Sequence, residues 1–237
     1  MKTIGILGGM SWPSTLDYYR VINKKVNEQL GGANSAQMIV HSCNFAEIKI
    51  LQEMAEKKPE YWTELGLLLG QNANDFLKSA DFIVIATNTM HKVADIIEEC
   101  CNKKILHIAD ATADAINKEG IKRIGLLGTR FTMREDFYKQ KLQSHGIEVV
   151  VPDEEGITTV NKIIFDELIN NIVRPQSATA LRKVIADLIN REKCEGIVLG
   201  CTELPLFFPN DECCYGKPLF KTAEIHAEAV AKFALAK

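Results

Sequence analysis

Two short apolar segments of the sequence each end on a side chain that could move a proton. Ile83–Ala86 is followed directly by Thr87, and Ile197–Gly200 is followed directly by Cys201. A thiol at the end of a strand, close to the start of the next helix, is expected to have a depressed pKa, because a helix N-terminus favours the thiolate. A threonine hydroxyl cannot be tuned so low without a strong base beside it, but it can donate or relay a proton. Cys201 is therefore a candidate general base and Thr87 a candidate proton donor, the alternative being that Cys201 is an ordinary buried small residue.

Polar or glycine-rich residues follow predicted strand ends at four places, where open α/β sheets bind ligands. The four loops are Gly8–Ser14, Thr87–His91, Gly128–Thr132 and Cys201–Leu204. Glycines let a ligand approach the backbone, and the N–H groups at a helix start bind anions such as carboxylates. Arg130 offers a fork of donors that suits a carboxylate, and the Asn88 and Thr89 side chains can hydrogen-bond a carboxylate or an ammonium group. Each loop also fits a plain capped turn and His91 fits a structural role, so both interpretations stay open at this point.

Short apolar runs alternate with longer amphipathic stretches along the chain, which predicts an α/β fold with a parallel sheet. The runs are rich in β-branched residues and mostly unalternating, as is typical of parallel strands covered on both faces. The predicted strands are Thr3–Leu7, Met38–His41, Phe82–Ala86, Lys104–Ile108, Ile124–Leu127, Glu148–Val151 and Gly196–Leu199. The predicted helices are roughly Ser14–Gln29, Glu60–Ser79, His91–Cys100, Ala111–Lys118, Met133–His145, Val160–Asn170, Ser177–Glu192 and Thr222–Ala234.

The sequence also contains an internal repeat. Ile4–Gly9 reappears as Ile124–Thr129, and Ile83–Thr87 reappears as Ile197–Cys201, in the same order and spaced by about half the chain. Such a period indicates two copies of one supersecondary plan.

The repeat predicts two similar, pseudo-symmetric α/β domains, each with a parallel sheet flanked by helices. We expect residues 1–114 with 208–237 to form the first and residues 115–207 to form the second. The active site is expected in the cleft between them, with Thr87 and Cys201 at equivalent positions on its two walls.

The composition excludes several classes of protein. The chain has 237 residues, 46% of them hydrophobic, and a formal net charge of −3, with no cluster of Lys and Arg to suggest a nucleic-acid or membrane-surface partner. The dinucleotide fingerprint G-x-G-x-x-G is absent, because Ile6 and Leu7 separate Gly5 from Gly8. Seven cysteines without a C-x-x-C pair indicate reduced thiols and no zinc site. The first apolar run is too short for a signal peptide and no run approaches a membrane span, so we expect a cytosolic protein.

Taken together, the motifs resemble those of the aspartate/glutamate racemase family, over nearly the whole chain. They are Gly8-Gly9-Met10-Ser11-Trp12, Thr87-Asn88-Thr89-Met90-His91, His107–Thr112, Leu127–Met133, Gly200-Cys201-Thr202-Glu203 and Ile225–Glu228. The usual members carry a cysteine at both the Thr87 and the Cys201 positions. One thiolate removes the Cα proton and the other thiol protonates the opposite face, without pyridoxal phosphate or a metal.

This chain keeps Cys201 and has Thr87 in place of the first cysteine, which resembles a Thr/Cys subgroup that prefers L-configured substrates. The resemblance implies cofactor-independent racemisation of aspartate or glutamate, fast from one enantiomer and slow from the other. It also implies binding roles for the residues of the four loops, and a homodimer. The α-carboxylate and the ammonium group would be held by the backbone of Met10 and Ser11, with Asn88, Thr89 and Thr202. The distal carboxylate would be held by Arg130 or a neighbour. The candidate binding set also includes Thr129, Thr132 and Glu203.

Two departures from the family pattern leave aspartate versus glutamate open. Pro13 stands where the family usually has Glu, and Cys43-Asn44 replaces the usual Val-Asp.

Two rival functions also remain. An arylmalonate-type decarboxylase keeps a single cysteine at the Cys201 position, although it would not need Asn88 and Thr89 to hold an ammonium group. A non-catalytic amino-acid binding protein would explain Thr87 as a sign of lost activity.

Overall fold

The computed structural model describes residues 1–236 and divides them into two compact units. Met1–Ile108, with the chain from His226 onward, forms unit 1, and Ala109–Ile225 forms unit 2. The sequence analysis places the boundaries after residues 114 and 207. The difference has a physical reason, because residues 217–221 form a strand that pairs with the sheet of unit 2.

Eight strands and ten helices, with three short 3₁₀ helices, make up the described part of the chain. The strands are β1 Ile4–Gly8, β2 Met38–Ser42, β3 Phe82–Ile85, β4 Arg123–Gly128, β5 Glu148–Val150, β6 Gly196–Gly200, β7 Cys213–Cys214 and β8 Lys217–Lys221. The helices are α1 Trp12–Leu30, α2 Phe45–Lys57, α3 Glu60–Phe76, α4 Ala94–Cys101, α5 Ile108–Lys118, α6 Arg130–Arg134, α7 Asp136–Ser144, α8 Glu154–Asp166, α9 Pro175–Asn190 and α10 Thr222–Leu235. The 3₁₀ helices are Thr89–Val93, Leu168–Asn170 and Leu204–Phe207.

The predicted α/β fold with parallel sheets is confirmed, and so is the repeat. Unit 1 has the strand order β2-β1-β3, and unit 2 has the order β5-β4-β6-β8-β7. All of these pairings are parallel except that of β7 with β8. The first three strands of unit 2 therefore reproduce the strand order of unit 1. β1 and β6 are buried along their whole length, which explains why their sequences do not alternate.

One predicted strand is wrong. Within Lys104–Ile108, Ile105 makes only an isolated bridge to Ile83, and α5 already begins at Ile108. The run is apolar because Ile105 and Ile108 are buried, and burial alone does not distinguish a strand from a loop that crosses a sheet edge. The sequence analysis also missed α2, β7 and β8.

The helices begin and end for local reasons. α1 has Pro13 in its first turn, and its buried face includes Tyr18, Ile22 and Val26 at helical spacing. α2 begins after Asn44, whose side chain accepts a hydrogen bond from the Ala46 N–H at 3.2 Å. The departure at Asn44 noted above therefore supplies a helix cap.

Within residues 1–236, no helix is both long enough and apolar enough to cross a membrane.

Candidate functional site

The candidate residues of unit 1 lie at the carboxyl edge of its sheet, where β1, β2 and β3 end. The Cys43 N–H donates to Gly8 O at 3.0 Å, which joins the ends of β1 and β2. Gly9 has a φ of +85°, and a Cβ there would overlap the backbone of Cys43, so only glycine fits. This close approach places Met10 and Ser11, both buried, directly before α1.

Thr87 lies two residues beyond the end of β3 and is half-buried. The Ser14 hydroxyl donates to Ala86 O at 3.0 Å, and His91 Nδ1 lies 2.8 Å from Thr87 O. Asn88 and Thr89, which complete the predicted binding loop, are both buried. The structure therefore brings the Thr87 hydroxyl and the predicted loop residues of unit 1 to a single sheet edge.

In unit 2 the loop after β4 begins α6. Thr129 caps this helix, since its hydroxyl oxygen accepts from the Thr132 N–H at 3.4 Å, and the two hydroxyls lie 3.3 Å apart. The Arg130 N–H donates to Asn161 Oδ1 at 2.9 Å. Its guanidinium is centred 5.6 Å from the Phe131 ring, so the Arg130 side chain packs on an aromatic face beside the strand end.

Cys201 directly follows β6 and hydrogen-bonds a carboxylate. Its side chain is in the buried core and the residue is 7% exposed. The thiol donates to Glu203 Oε2 at 3.0 Å, and the Thr202 hydroxyl donates to the same oxygen at 2.7 Å. Three of the predicted residues, Cys201, Thr202 and Glu203, therefore form one hydrogen-bonded group.

The expectation of a depressed Cys201 pKa is wrong. Burial, and next the negative charge of Glu203, hold the pKa of the thiol well above its usual value. The backbone N–H groups of Glu203 and Leu204 act in the opposite direction but do not prevail. The helix that follows is only the four-residue 3₁₀ turn Leu204–Phe207, so its N-terminus is a weak source of positive potential.

The sequence analysis missed Lys221, the last residue of β8. Lys221 is 8% exposed, and within residues 1–236 the structure gives its side chain no hydrogen bond or ion pair. It pairs in register with Leu199 on β6, so the two side chains share one face of the sheet. Cys201 follows Leu199 by two residues, and both belong to the core cluster on that face. The signal for Lys221 would have been a lysine at the end of a strand, directly before the helix that begins at Thr222, but the sequence analysis did not predict this strand.

Thr87 and Cys201 occupy equivalent positions in the two units. In unit 1, Ile85 pairs with Leu7, and Thr87 follows Ile85 by two residues. In unit 2, Leu199 pairs with Leu127, and Cys201 follows Leu199 by two residues. The repeat read from the sequence is therefore also a structural repeat, with a hydroxyl at one site and a thiol at the other.

No metal centre is evident in the described part of the chain. Across residues 1–236, no three His, Cys, Asp or Glu side chains are grouped closely enough to hold a metal ion.

Comparison with known proteins agrees with the two-unit α/β architecture. A solved structure from Yersinia pestis, of a protein proposed to be an Asp/Glu racemase, is 45% identical, with a TM-score of 0.89 and 100% of both chains covered. A solved structure of an aspartate racemase homologue from Pyrococcus horikoshii is 34% identical, with a TM-score of 0.82 and 100% of both chains covered. Residues 7–230 match the Asp/Glu/hydantoin racemase family. The chain belongs to this family.

Three more distant matches are proteins with named activities. The broad-specificity amino-acid racemase RacX of Bacillus subtilis is 25% identical over 205 residues, which cover 85% of each chain. The match to glutamate racemase of Streptococcus agalactiae is 28% identical over 137 residues, and it spans 56% of this chain and only 48% of that enzyme. A mutant arylmalonate decarboxylase, at 12% identity and a TM-score of 0.53, shares the fold alone.

Proposed function

We propose that this protein racemises an acidic amino acid, aspartate or glutamate or both, by moving protons at Cα without a cofactor. The observation that carries the proposal is the equivalent placement of Thr87 and Cys201 in two repeated units of a racemase-family chain. The chemistry requires these two groups to serve opposite faces of one Cα atom. Racemisation needs one group to remove the proton from one face and another group to supply a proton to the other face.

Cys201 is the proposed base, and Glu203 is the proposed acceptor of its proton. The thiol–carboxylate hydrogen bond of 3.0 Å gives the proton a direct path from sulfur to oxygen. Transfer to Glu203 leaves a thiolate, which removes the Cα proton of the L-enantiomer and becomes a thiol again. Glu203 then returns its extra proton to solvent. Because the pKa of the buried thiol is raised, its thiolate is a stronger base once formed.

Thr87 is the proposed donor on the opposite face. Its hydroxyl gives a proton to the carbanion while it accepts one from water, so no free alkoxide is needed. A hydroxyl is a far weaker base than a thiolate of suitable pKa, so removal of the Cα proton by Thr87 is slow. We therefore propose that the L-enantiomer is favoured in exchange of its Cα proton with solvent. The two enantiomers have equal free energy, so kcat/KM for inversion is the same in both directions and a preference in kcat is matched by one in KM.

The substrate carboxylates need donors that are in place before the reaction. We propose that the backbone N–H groups at Met10 and Ser11, with Asn88, Thr89 and Thr202, hold the α-carboxylate and the ammonium group. Negative charge flows onto the α-carboxylate when Cα loses its proton, so donors fixed there lower the barrier.

The distal carboxylate requires a cation. Arg130 is one candidate, and Thr129, with Thr132 behind it, shapes the loop that presents it. Lys221 is a second candidate, since the residue is only 8% exposed, its side chain has no ion pair within residues 1–236, and its ammonium group could form a charge-assisted hydrogen bond to a bound carboxylate. A pocket with a fixed cation would favour aspartate and glutamate over neutral amino acids.

The names of the relatives support this substrate class. They include an aspartate racemase homologue, a glutamate racemase and a broad-specificity amino-acid racemase. From the family resemblance we also propose a cytosolic homodimer that has no nucleic-acid or membrane partner. Sedimentation of the purified protein across a concentration series tests the dimer.

The test of function is an incubation in deuterated water with L- and D-aspartate and L- and D-glutamate, in separate tubes and without added cofactor. Proton NMR follows loss of the Cα signal, and chiral chromatography follows inversion. The proposal predicts deuterium at Cα together with inversion, and faster Cα exchange from the L-enantiomer than from the D-enantiomer.

The two rivals give different results. Release of carbon dioxide from an arylmalonate, without amino-acid exchange, would favour the decarboxylase. Binding of aspartate or glutamate without any exchange would favour the non-catalytic binding protein.

A further inference from the structure

Two buried side chains hold the peptide groups on either side of Thr87. Ser14 donates to Ala86 O at 3.0 Å, and His91 lies 2.8 Å from Thr87 O through Nδ1. Ser14 is 2% exposed and His91 is 3% exposed. The backbone angles φ and ψ of Thr87 lie between these two peptide groups, so the two bonds together fix the direction in which its side chain leaves the backbone.

The partners of His91 define its tautomer. The Ile108 N–H donates to His91 Nε2 at 3.2 Å, so Nε2 must be the acceptor nitrogen. The ring proton then resides on Nδ1 and is donated to Thr87 O. A protonated His91 would have no lone pair for Ile108, so both bonds hold only in the neutral ring.

His91 is itself held by other rings. Its ring packs edge-on against His107, at 4.5 Å between centroids, and against His226, at 5.8 Å. His226 donates from Nε2 to Leu106 O at 2.7 Å, and its Nδ1 accepts from the Tyr18 hydroxyl at 2.7 Å. Burial lowers the pKa of His226 to about 3, so this ring is neutral too. The hydrogen-bonded network behind Thr87 therefore has one arrangement of protons.

We propose that Ser14 and His91 are positioning residues that aim the Thr87 hydroxyl at Cα. Neither side chain has to touch the substrate for this role. The inference rests on the proposed function, in which Thr87 completes inversion after Cys201 has removed the proton. Loss of the positioning should therefore impair inversion while leaving exchange from the L-enantiomer intact, because exchange needs Cys201 and Glu203 but not Thr87.

The experiment measures inversion and Cα deuterium exchange from L-aspartate and L-glutamate for four variants in deuterated water. His91→Asn can place an amide N–H near the Nδ1 position and so keep the bond to Thr87 O. His91→Gln places its amide near the Nε2 position and loses that bond. Ser14→Ala removes the hydrogen bond to Ala86 O. Ser177→Ala is the matched control, since it removes a buried serine hydrogen bond of 2.8 Å to Glu167 in unit 2.

We expect inversion by His91→Gln and by Ser14→Ala to fall by roughly tenfold to a hundredfold, the effect of misplacing a reacting group by about 1 Å. Exchange should change by less than about twofold, and both rates should stay near wild type in His91→Asn and Ser177→Ala. Exchange also reports folding, because an unfolded variant cannot exchange.

Two results would overturn the inference. One is an equal fall of exchange and inversion in His91→Gln and Ser14→Ala, and the other is a wild-type ratio of inversion to exchange in both. Absence of exchange by the wild-type protein is a distinct result, which overturns the proposed function and the positioning role together.

Discussion

His226 should make the fold sensitive to acid over a defined range of pH. The ring is fully buried, and its burial, with the nearby His91, lowers its pKa from 6.5 to about 3. In the unfolded chain, His226 therefore binds a proton below about pH 6.5, whereas in the folded chain it binds one only below about pH 3. The stability contributed by the neutral ring is fully present above pH 6.5 and is lost as the pH falls. From pH 8 to pH 5 the loss amounts to about 2 kcal/mol, at 1.36 kcal/mol for each unit of pH below 6.5.

Urea unfolding at pH 8, 6.5 and 5 measures this loss, with His226→Gln as the control. Glutamine can still donate to Leu106 O, but it does not titrate. The variant loses the hydrogen bond to Tyr18, which lowers its free energy of unfolding by the same amount at every pH. This loss therefore does not affect the comparison of how the free energy of unfolding changes with pH. Between pH 8 and pH 5 the wild type should lose about 2 kcal/mol more than the variant. Equal losses in the two proteins would refute the reasoning, since the acid sensitivity would then arise elsewhere.

Three further predictions concern the two sheet edges. The rate of Cys201 alkylation by iodoacetamide, measured against pH, should have its midpoint above the usual thiol pKa. Glu203→Gln should move this midpoint to lower pH, because it removes a negative charge that raises the pKa of the thiol. An unchanged midpoint in the variant would contradict the prediction. Lys221→Met should raise the KM for acidic amino acids by about tenfold to a hundredfold, which is the effect of losing one charge-assisted hydrogen bond. An unchanged KM in steady-state assays would show that Lys221 does not bind the substrate. Gly9→Ala should cost more unfolding free energy than Gly31→Ala, since both glycines have a positive φ but a Cβ meets nothing within 4 Å at Gly31; equal costs in urea melts would show that the close approach at Gly9 is unimportant.

Much of the fold could be predicted because buried parallel strands have a simple signature. The segments that became β1, β3, β4 and β6 are short, β-branched and bounded by turns, and the repeat paired them correctly. β8 is harder to recognise, because Lys217–Lys221 contains a proline and two lysines. Lys104–Ile108 was predicted as a strand but is not one. Its two buried isoleucines lie in a loop and at the start of α5.

The candidate site shows a similar division. Positions at strand ends follow from local sequence, so Thr87, Cys201 and their loops could be named before the fold was known. The pKa of Cys201 could not, because it depends on how deeply the thiol is buried and on where the Glu203 carboxylate lies. The bonds from Ser14 and His91 to the backbone around Thr87 were also out of reach, since Ser14 is remote from Thr87 in the sequence and comes beside it only in the folded sheet edge.

The central claim is that Cys201 and Thr87 act on opposite faces of one Cα atom. The most direct test compares Cys201→Ala and Thr87→Ala in deuterated water, with exchange and inversion followed from the L-enantiomer. The account predicts that Cys201→Ala loses both, while Thr87→Ala retains exchange and loses inversion. Wild-type exchange in Cys201→Ala, or wild-type inversion in Thr87→Ala, would contradict it.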